Sequence, residues 1–216
     1  MNSFRLGVFD IFAYIIPGIV YIVLISLSIN LITFEELINK TESLSIYSML
    51  AYFFVAYLIG FALENIAAKY CSIINDLLKG KLKNRIIEKF NKNNPDAEID
   101  DYNFDFLYAF TDIYSSVSRD KSDNFSALAK MSRNLSLVFF LFMIFTLLFN
   151  LINFSQIDWF VLPLKFIIGI TISVIFLYHA DRYQRYSLEH LLNTYYIISK
   201  NIDKIESSKK PKDRKS

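Results

Sequence analysis

The sequence predicts an all-α membrane protein in which four transmembrane helices carry a small helical subdomain on one side. Three observations lead there. Apolar residues make up 54% of the 216, against about 45–50% in an ordinary globular chain. They gather into four long runs, and the charged residues between those runs are sorted by sign.

A helix crossing the hydrocarbon needs about 20 mostly apolar residues, because it rises about 1.5 Å per residue across about 30 Å. Ile11–Ile32, Tyr47–Ala67, Leu135–Asn153 and Trp159–His179 meet that need. A membrane β-barrel would show alternating segments of about ten residues, and the chain has none. A cleaved signal peptide competes for the first run. It is disfavoured because Arg5 is offset by Asp10 and Ser26-Leu27-Ser28 is a poor cleavage site.

Orientation follows from basic residues near the span ends. The connection at 33–46 holds Glu35, Glu36 and Glu42 against Lys40, and that at 155–158 holds only Asp158. After the second run come Lys69, Lys79, Lys81, Lys83, Arg85, Lys89 and Lys92. Arg119, Lys121, Lys130 and Arg133 precede the third run, and Arg182 and Arg185 follow the fourth. Both termini are therefore expected in the cytoplasm. The expected organisation is spans one and two over 1–67, a cytoplasmic helical insert over 68–134 and spans three and four over 135–179. An amphipathic helix follows over 180–205, then a disordered basic tail over 206–216.

Within the spans, Pro17 lacks the N–H of a helical hydrogen bond and predicts a kink, with Gly18 beside it open to a neighbouring helix. That kink serves packing or a gating hinge. Ala56, Gly60 and Glu64 fall at i, i+4 and i+8, two small residues and then a carboxylate on one face. Small residues at that spacing permit close helix contact, and an intramembrane acid turns toward protein or water. Arg182 or His179 of the fourth span is its expected partner. The pair is either a structural ion pair or a site that handles protons or ions. Thr146, Asn150 and Asn153 make a polar stripe suited to hydrogen bonds between helices or to lining a pore, while Gly169 and Ser173 repeat the small-residue spacing. Lys165 lies near enough to the outer face to snorkel.

In the insert, Leu82, Ile86 and Phe90 edge a Lys-rich helix that either lies on anionic headgroups or packs on its neighbours. Asp96, Glu98, Asp100, Asp101 and Asp105 fail the EF-hand pattern, since the sixth and twelfth positions are Asp101 and Leu107 rather than Gly and Glu. An aromatic helix is expected over 103–118, and another near Asn124–Asn134. Past the fourth span, Gln184, Leu188, Leu191, Tyr195, Ile198, Ile202 and Ile205 step by four and three. They form an a/d seam of about three heptads. The seam docks on the insert, a partner or another copy.

The chemistry is sparse. Cys71 is the sole cysteine, and His179 and His190 are too few for a zinc site. No phosphate loop, nucleophile elbow or dinucleotide fingerprint is present. No catalytic residue, cofactor or metal is expected. The cluster His179, Asp181 and Arg182 at the membrane edge is the one place for a lipid-modifying site. The tail ESSKKPKDRKS has no aromatic or folded motif behind it, so direct nucleic-acid binding is not expected. Membrane lipid, a cytosolic protein and further copies of the chain are the expected partners.

Three patches, FDIFAYIIPG, AYLIGFALENIA and FSALAKMSRNLSL, resemble small four-span bacterial membrane proteins, some of them encoded in anti-phage defence loci. The membrane subunit of the Kiwa system is similar in size and layout. The resemblance implies a subunit of the cytoplasmic membrane that works with a soluble partner, and it supplies no catalytic residues. Three functions stand as expectations, the last of them a lipid-modifying membrane enzyme at the His179, Asp181 and Arg182 cluster. The first is a non-enzymatic anchor or sensor that docks a cytosolic effector. The second is a gated pore that depolarises the cell.

Overall fold

A computed structural model describes residues 8–28, 45–78, 82–95, 104–153 and 161–209. The connections over 29–44 and 154–160, the acidic stretch over 96–103 and the tail over 210–216 lie outside those residues, as do the side chains of Ile202 and Ile205. Six helices and no strand are found among the described residues. The chain is an all-α, multi-pass membrane protein, and four of its helices are long and apolar enough to cross a bilayer.

Helix α1, Val8–Ser28, carries Asp10 in its first turn, where a carboxylate complements the helix dipole, and continues through Pro17. Helix α2, Ile46–Leu78, is capped by Ser45, whose Oγ accepts from the Ser48 amide at 3.2 Å. Helices α3, Leu82–Asn93, and α4, Phe104–Tyr114, are short. Helix α5, Ser116–Ile152, begins at Ser115, whose carbonyl takes the Arg119 amide at 3.1 Å. Helix α6, Val161–Lys209, tolerates Pro163 in its first turn and leaves helical geometry only at Asn201, with φ −121° and ψ 15°.

Three helices outrun their apolar segments. At about 1.5 Å per residue, the 33 residues of α2, 37 of α5 and 49 of α6 all exceed the hydrocarbon thickness. Hydropathy marks only the lipid-soluble part, and no breaker follows it in any of the three. The aromatic helix expected over 103–118 stops at Tyr114, and the next begins at Ser116 rather than near Asn124. Ser115 is the reason, since it closes one helix and caps the other.

The chain divides into two compact units, residues 1–80 with 127–183 and residues 81–126 with 184–216. The second unit is thus narrower at both ends than an insert over 68–134. In unit 1, α1 and α2 meet backbone to backbone. A methyl group added at Gly18 would overlap the Ala56 carbonyl, and one at Gly60 the Tyr14 carbonyl. Only glycine allows that approach. Leu63 and Ala67 of α2 pack on Leu137 and Val138 of α5, with Val20, Tyr21 and Leu24 of α1 around them. Helix α6 is drawn to α5 at Gly169, which faces Met143, and by the stacked rings of Phe139 and Phe176 at 5.9 Å.

Unit 2 has its own core of Ile86 and Phe90 from α3, Leu107 from α4 and Leu192 from α6, with Leu188, Tyr195 and Tyr196 against it. The apolar edge of α3 is therefore packed within this unit. Phe106 and Phe110 meet the Tyr195 ring edge-on at 6.2 and 5.1 Å, an arrangement aromatic quadrupoles favour. Arg119 ties α4 to α5. It lies 4.3 Å from the centroid of the Tyr108 ring, donates to the Tyr108 carbonyl and pairs with Asp123 at 2.9 Å.

Candidate functional site

Among the described residues, ionised side chains are brought together inside unit 1 by α1, α2 and α5. Lys130 and Arg133 are one turn apart on α5. Lys130 reaches Asp10 of α1 at 3.6 Å, and Arg133 donates from Nη2 to Oε1 of Glu64 on α2. The second pair is the more enclosed, with side-chain exposures of 23% for Arg133 and 18% for Glu64, against 34% and 26% for Lys130 and Asp10. Glu64 therefore pairs with α5, not with Arg182 or His179 of α6. Helix continuity explains the difference. Because α5 begins well before its apolar run, Arg133 is held on a rigid helix beside Leu135 and Leu137, one turn from the level of Glu64.

The pair is incompletely satisfied. Glu64 Oε2 and Arg133 Nε are buried without a hydrogen-bond partner, and the adjoining Asn134 is fully buried with neither amide atom partnered. Unmet groups of this kind cost about 1–3 kcal/mol each in an apolar interior. They favour any arrangement that brings them water or a new partner.

A second set of polar side chains joins α5 to α6. Ser136 Oγ donates to the Ser173 carbonyl and Ser173 Oγ to the Ser136 carbonyl, both at 2.9 Å, and Tyr70 of α2 reaches Ser173 Oγ at 3.2 Å. At the far end Thr146 Oγ1 lies 3.5 Å from Ser28 Oγ. Among the described residues, the other members of the expected stripe do not join helices. Asn150 and Asn153 each donate to the carbonyl four residues back in α5, at 2.7 and 3.1 Å. A flexible amide near a helix end satisfies its own backbone more readily than it finds another helix.

The residues considered for lipid chemistry differ in exposure, and while His179 and Arg182, three apart, share a side of α6, Asp181 lies about 200° round the helix from His179. Asp181 is buried, His179 is half-buried and stacks on Tyr183 at 5.9 Å, and Arg182 is exposed. Steps of about 100° around a helix separate neighbours in sequence. No group of three His, Cys, Asp or Glu converges as a metal centre requires among the described residues.

The seam of α6 is taken by the chain itself. Leu191 and Ile198 are buried, Leu188 and Tyr195 pack on the α3–α4 core, and the more central residue is Leu192, which lies outside the a/d register. In this conformation Leu188, Leu191, Tyr195 and Ile198 are taken up within the chain, and Gln184 alone of the described seam residues is exposed. Among the described residues, the large apolar side chains that unit 2 leaves exposed are Phe106, Ile113, Val117 and Ile197.

Sequence reasoning singled out Glu64, Pro17, Gly18, Ala56, Gly60, Gly169 and Ser173, all of which sit at helix contacts, but passed over Asn134, Ser136 and the Asp10–Lys130 pair. A signal for the missed residues exists in the sequence. Lys130 and Arg133 at i, i+3 immediately before an apolar run can face two acids on neighbouring helices. No protein-family model, curated protein or solved structure matches the chain.

Proposed function

We propose that the chain is a non-enzymatic anchor or sensor subunit of a bacterial cytoplasmic membrane, and that unit 2 docks a cytosolic effector, in the setting of anti-phage defence. The observation that carries this reading is unit 2 itself. It has an aromatic core of its own and exposed Phe106, Ile113, Val117 and Ile197. Phe106 and Ile113 lie seven residues apart, two turns along one side of α4, and an apolar patch built there would suit an interaction surface. Lysines and arginines flanking the spans support a cytoplasmic position for unit 2.

Gentle affinity purification from native membranes, followed by the mass of the intact complex, tests it. A stoichiometric soluble partner is expected, and Phe106→Asp with Ile113→Asp is expected to release it while leaving the chain in the membrane. A homo-oligomer with no partner would remove the docking role.

A gated pore is the second reading, favoured by one observation. Buried polar groups recur along the interior of unit 1, at Glu64–Arg133, Ser136–Ser173 and Thr146–Ser28. Conductance by the purified homo-oligomer in planar bilayers would move the function there.

A further inference from the structure

We infer that unit 1 is a two-block device: α1 with α2 and α5 with α6 are rigid helix pairs, held shut by an ionic latch of Glu64–Arg133 and Asp10–Lys130. This goes beyond the anchor–sensor reading and does not depend on what unit 2 binds.

Contacts inside each block leave little freedom. Between α1 and α2 the glycines place backbone against backbone at Gly18 and Gly60, where no side chain stands between the helices to absorb a displacement, and the Tyr14 ring packs edge-on against Tyr57 and Phe61 beside them. Between α5 and α6 the reciprocal serine bonds use both hydroxyls and both carbonyls, and Gly169 is closed by Met143. Contacts between the blocks are different in kind. Among the described residues, and apart from the apolar cluster, they run side chain to side chain: the two ion pairs, the Tyr70 and Phe140 rings at 5.1 Å, Tyr70–Ser173 and the long Thr146–Ser28 bond.

Both ion pairs draw on the same turn of α5, so the latch sits at one level of the bundle. It is also imperfect. The closed form holds Glu64 Oε2, Arg133 Nε and the whole Asn134 amide buried without partners. A shift that opens the α2–α5 contact at this level hydrates those groups at the expense of the ion pairs. Hydration of those groups offsets part of what opening costs in ion pairing, and the apolar cluster of Leu63, Ala67, Leu137 and Val138 supplies the rest of the resistance. A purely structural ion pair would instead have its remaining lone pair and N–H satisfied.

The chain carries its own reporter. Cys71 is 6% exposed and lies on the face of α2 that holds Glu64 and Ala67, at i+7 from Glu64. Its alkylation by a membrane-permeant maleimide is followed in vesicles containing the full-length protein over a series of pH values, so that a change in thiol ionisation is separated from opening. Slow labelling is expected in the wild type, with an increase of at least about tenfold in Glu64→Gln, because local opening sets the rate. The charge swap Glu64→Arg with Arg133→Glu is expected to restore protection. Asp10→Asn, at the more exposed pair, is expected to give a smaller acceleration that is still measurable should Glu64→Gln fail to accumulate. Ser122→Cys in a Cys71→Ser background reports on the core of unit 2, where Ser122 is fully buried, and should stay protected when Glu64→Gln is added. Wild-type labelling rates in both Glu64→Gln and Asp10→Asn would overturn the latch. So would a swap as fast as the single variant, or labelling of unit 2 together with unit 1.

Discussion

In unit 1 the side chains turned outward are Phe53, Phe54, Leu58, Leu148 and Ile167, while Ser136, Thr146, Ser173 and Asn134 are buried. In unit 2 the outward face carries charge: Ile86, Phe90, Leu107 and Leu192 are inside beside buried Thr111 and Ser122, and Glu88, Lys89, Lys92 and Asp112 face out. The same helix-forming chain has been sorted by two solvents. Against water, apolar burial contributes about 25 cal/mol per Å², so a leucine-rich edge finds its partner by being expelled. Against lipid tails no such force exists, and helices are held by close approach and by hydrogen bonds. The small and polar residues are inside unit 1 for that reason.

The largest expected effect breaks the comparison at its hydrophobic end. Leu192→Ala removes a fully buried side chain from the unit 2 core and should destabilise that unit by about 2–5 kcal/mol. Leu58→Ala, where the leucine is 49% exposed on α2, should change the stability of unit 1 by no more than about 0.5 kcal/mol. Hydrogen exchange read separately over the two units checks both. Equal costs would mean that Leu58 packs on protein rather than lipid.

Next comes the device peculiar to unit 1. Gly60→Ala places a methyl on the Tyr14 carbonyl, with backbone rather than a flexible side chain as the obstacle. The α1–α2 pair must separate to admit it, at about 1–3 kcal/mol. Exchange over α1 and α2 in micelles should rise while unit 2 is unchanged. Gly60→Ala as stable as wild type would show that the two helices part easily, and the two-block reading would lose its first block.

How far these features were legible from the sequence depends on the kind of force involved. The four apolar runs were legible because a bilayer demands length and apolarity together, and the all-α architecture followed. Gly60 and Ala56 stood out because small residues at i, i+4 have few other uses in a span. The partner of Glu64 was not legible. Hydropathy gives depth but not which helices are neighbours, and it placed Arg133 outside the third span, although α5 carries it rigidly to Glu64. Asn150 and Asn153 misled for a related reason, since an amide in an apolar run signals unmet hydrogen bonding without saying whether its own backbone will meet it. The seam of α6 was visible as a periodicity. What it faces depended on the α3–α4 core, which a heptad pattern does not encode.

The smallest expected effect sharpens the comparison at its electrostatic end, in unit 2. His190, beyond the apolar run of α6, keeps Nε2 buried without a partner, and burial first and the Lys121 ammonium second hold its pKa below the ordinary imidazole value. The unfolded chain takes up a proton at this histidine near pH 6.5, while the folded one resists until lower pH. The unfolded state thus binds more protons, and stability rises with pH across that window. His190 contributes stability that is fully present above about pH 6.5 and lost as the pH falls through its folded value. Acidifying from pH 7.5 to 5 should therefore raise hydrogen exchange in unit 2 around α5 and α6. His190→Leu should remove that part of the pH dependence, filling the site without an orphan nitrogen. An unchanged pH profile in His190→Leu would assign the acid sensitivity of unit 2 to its carboxylates instead.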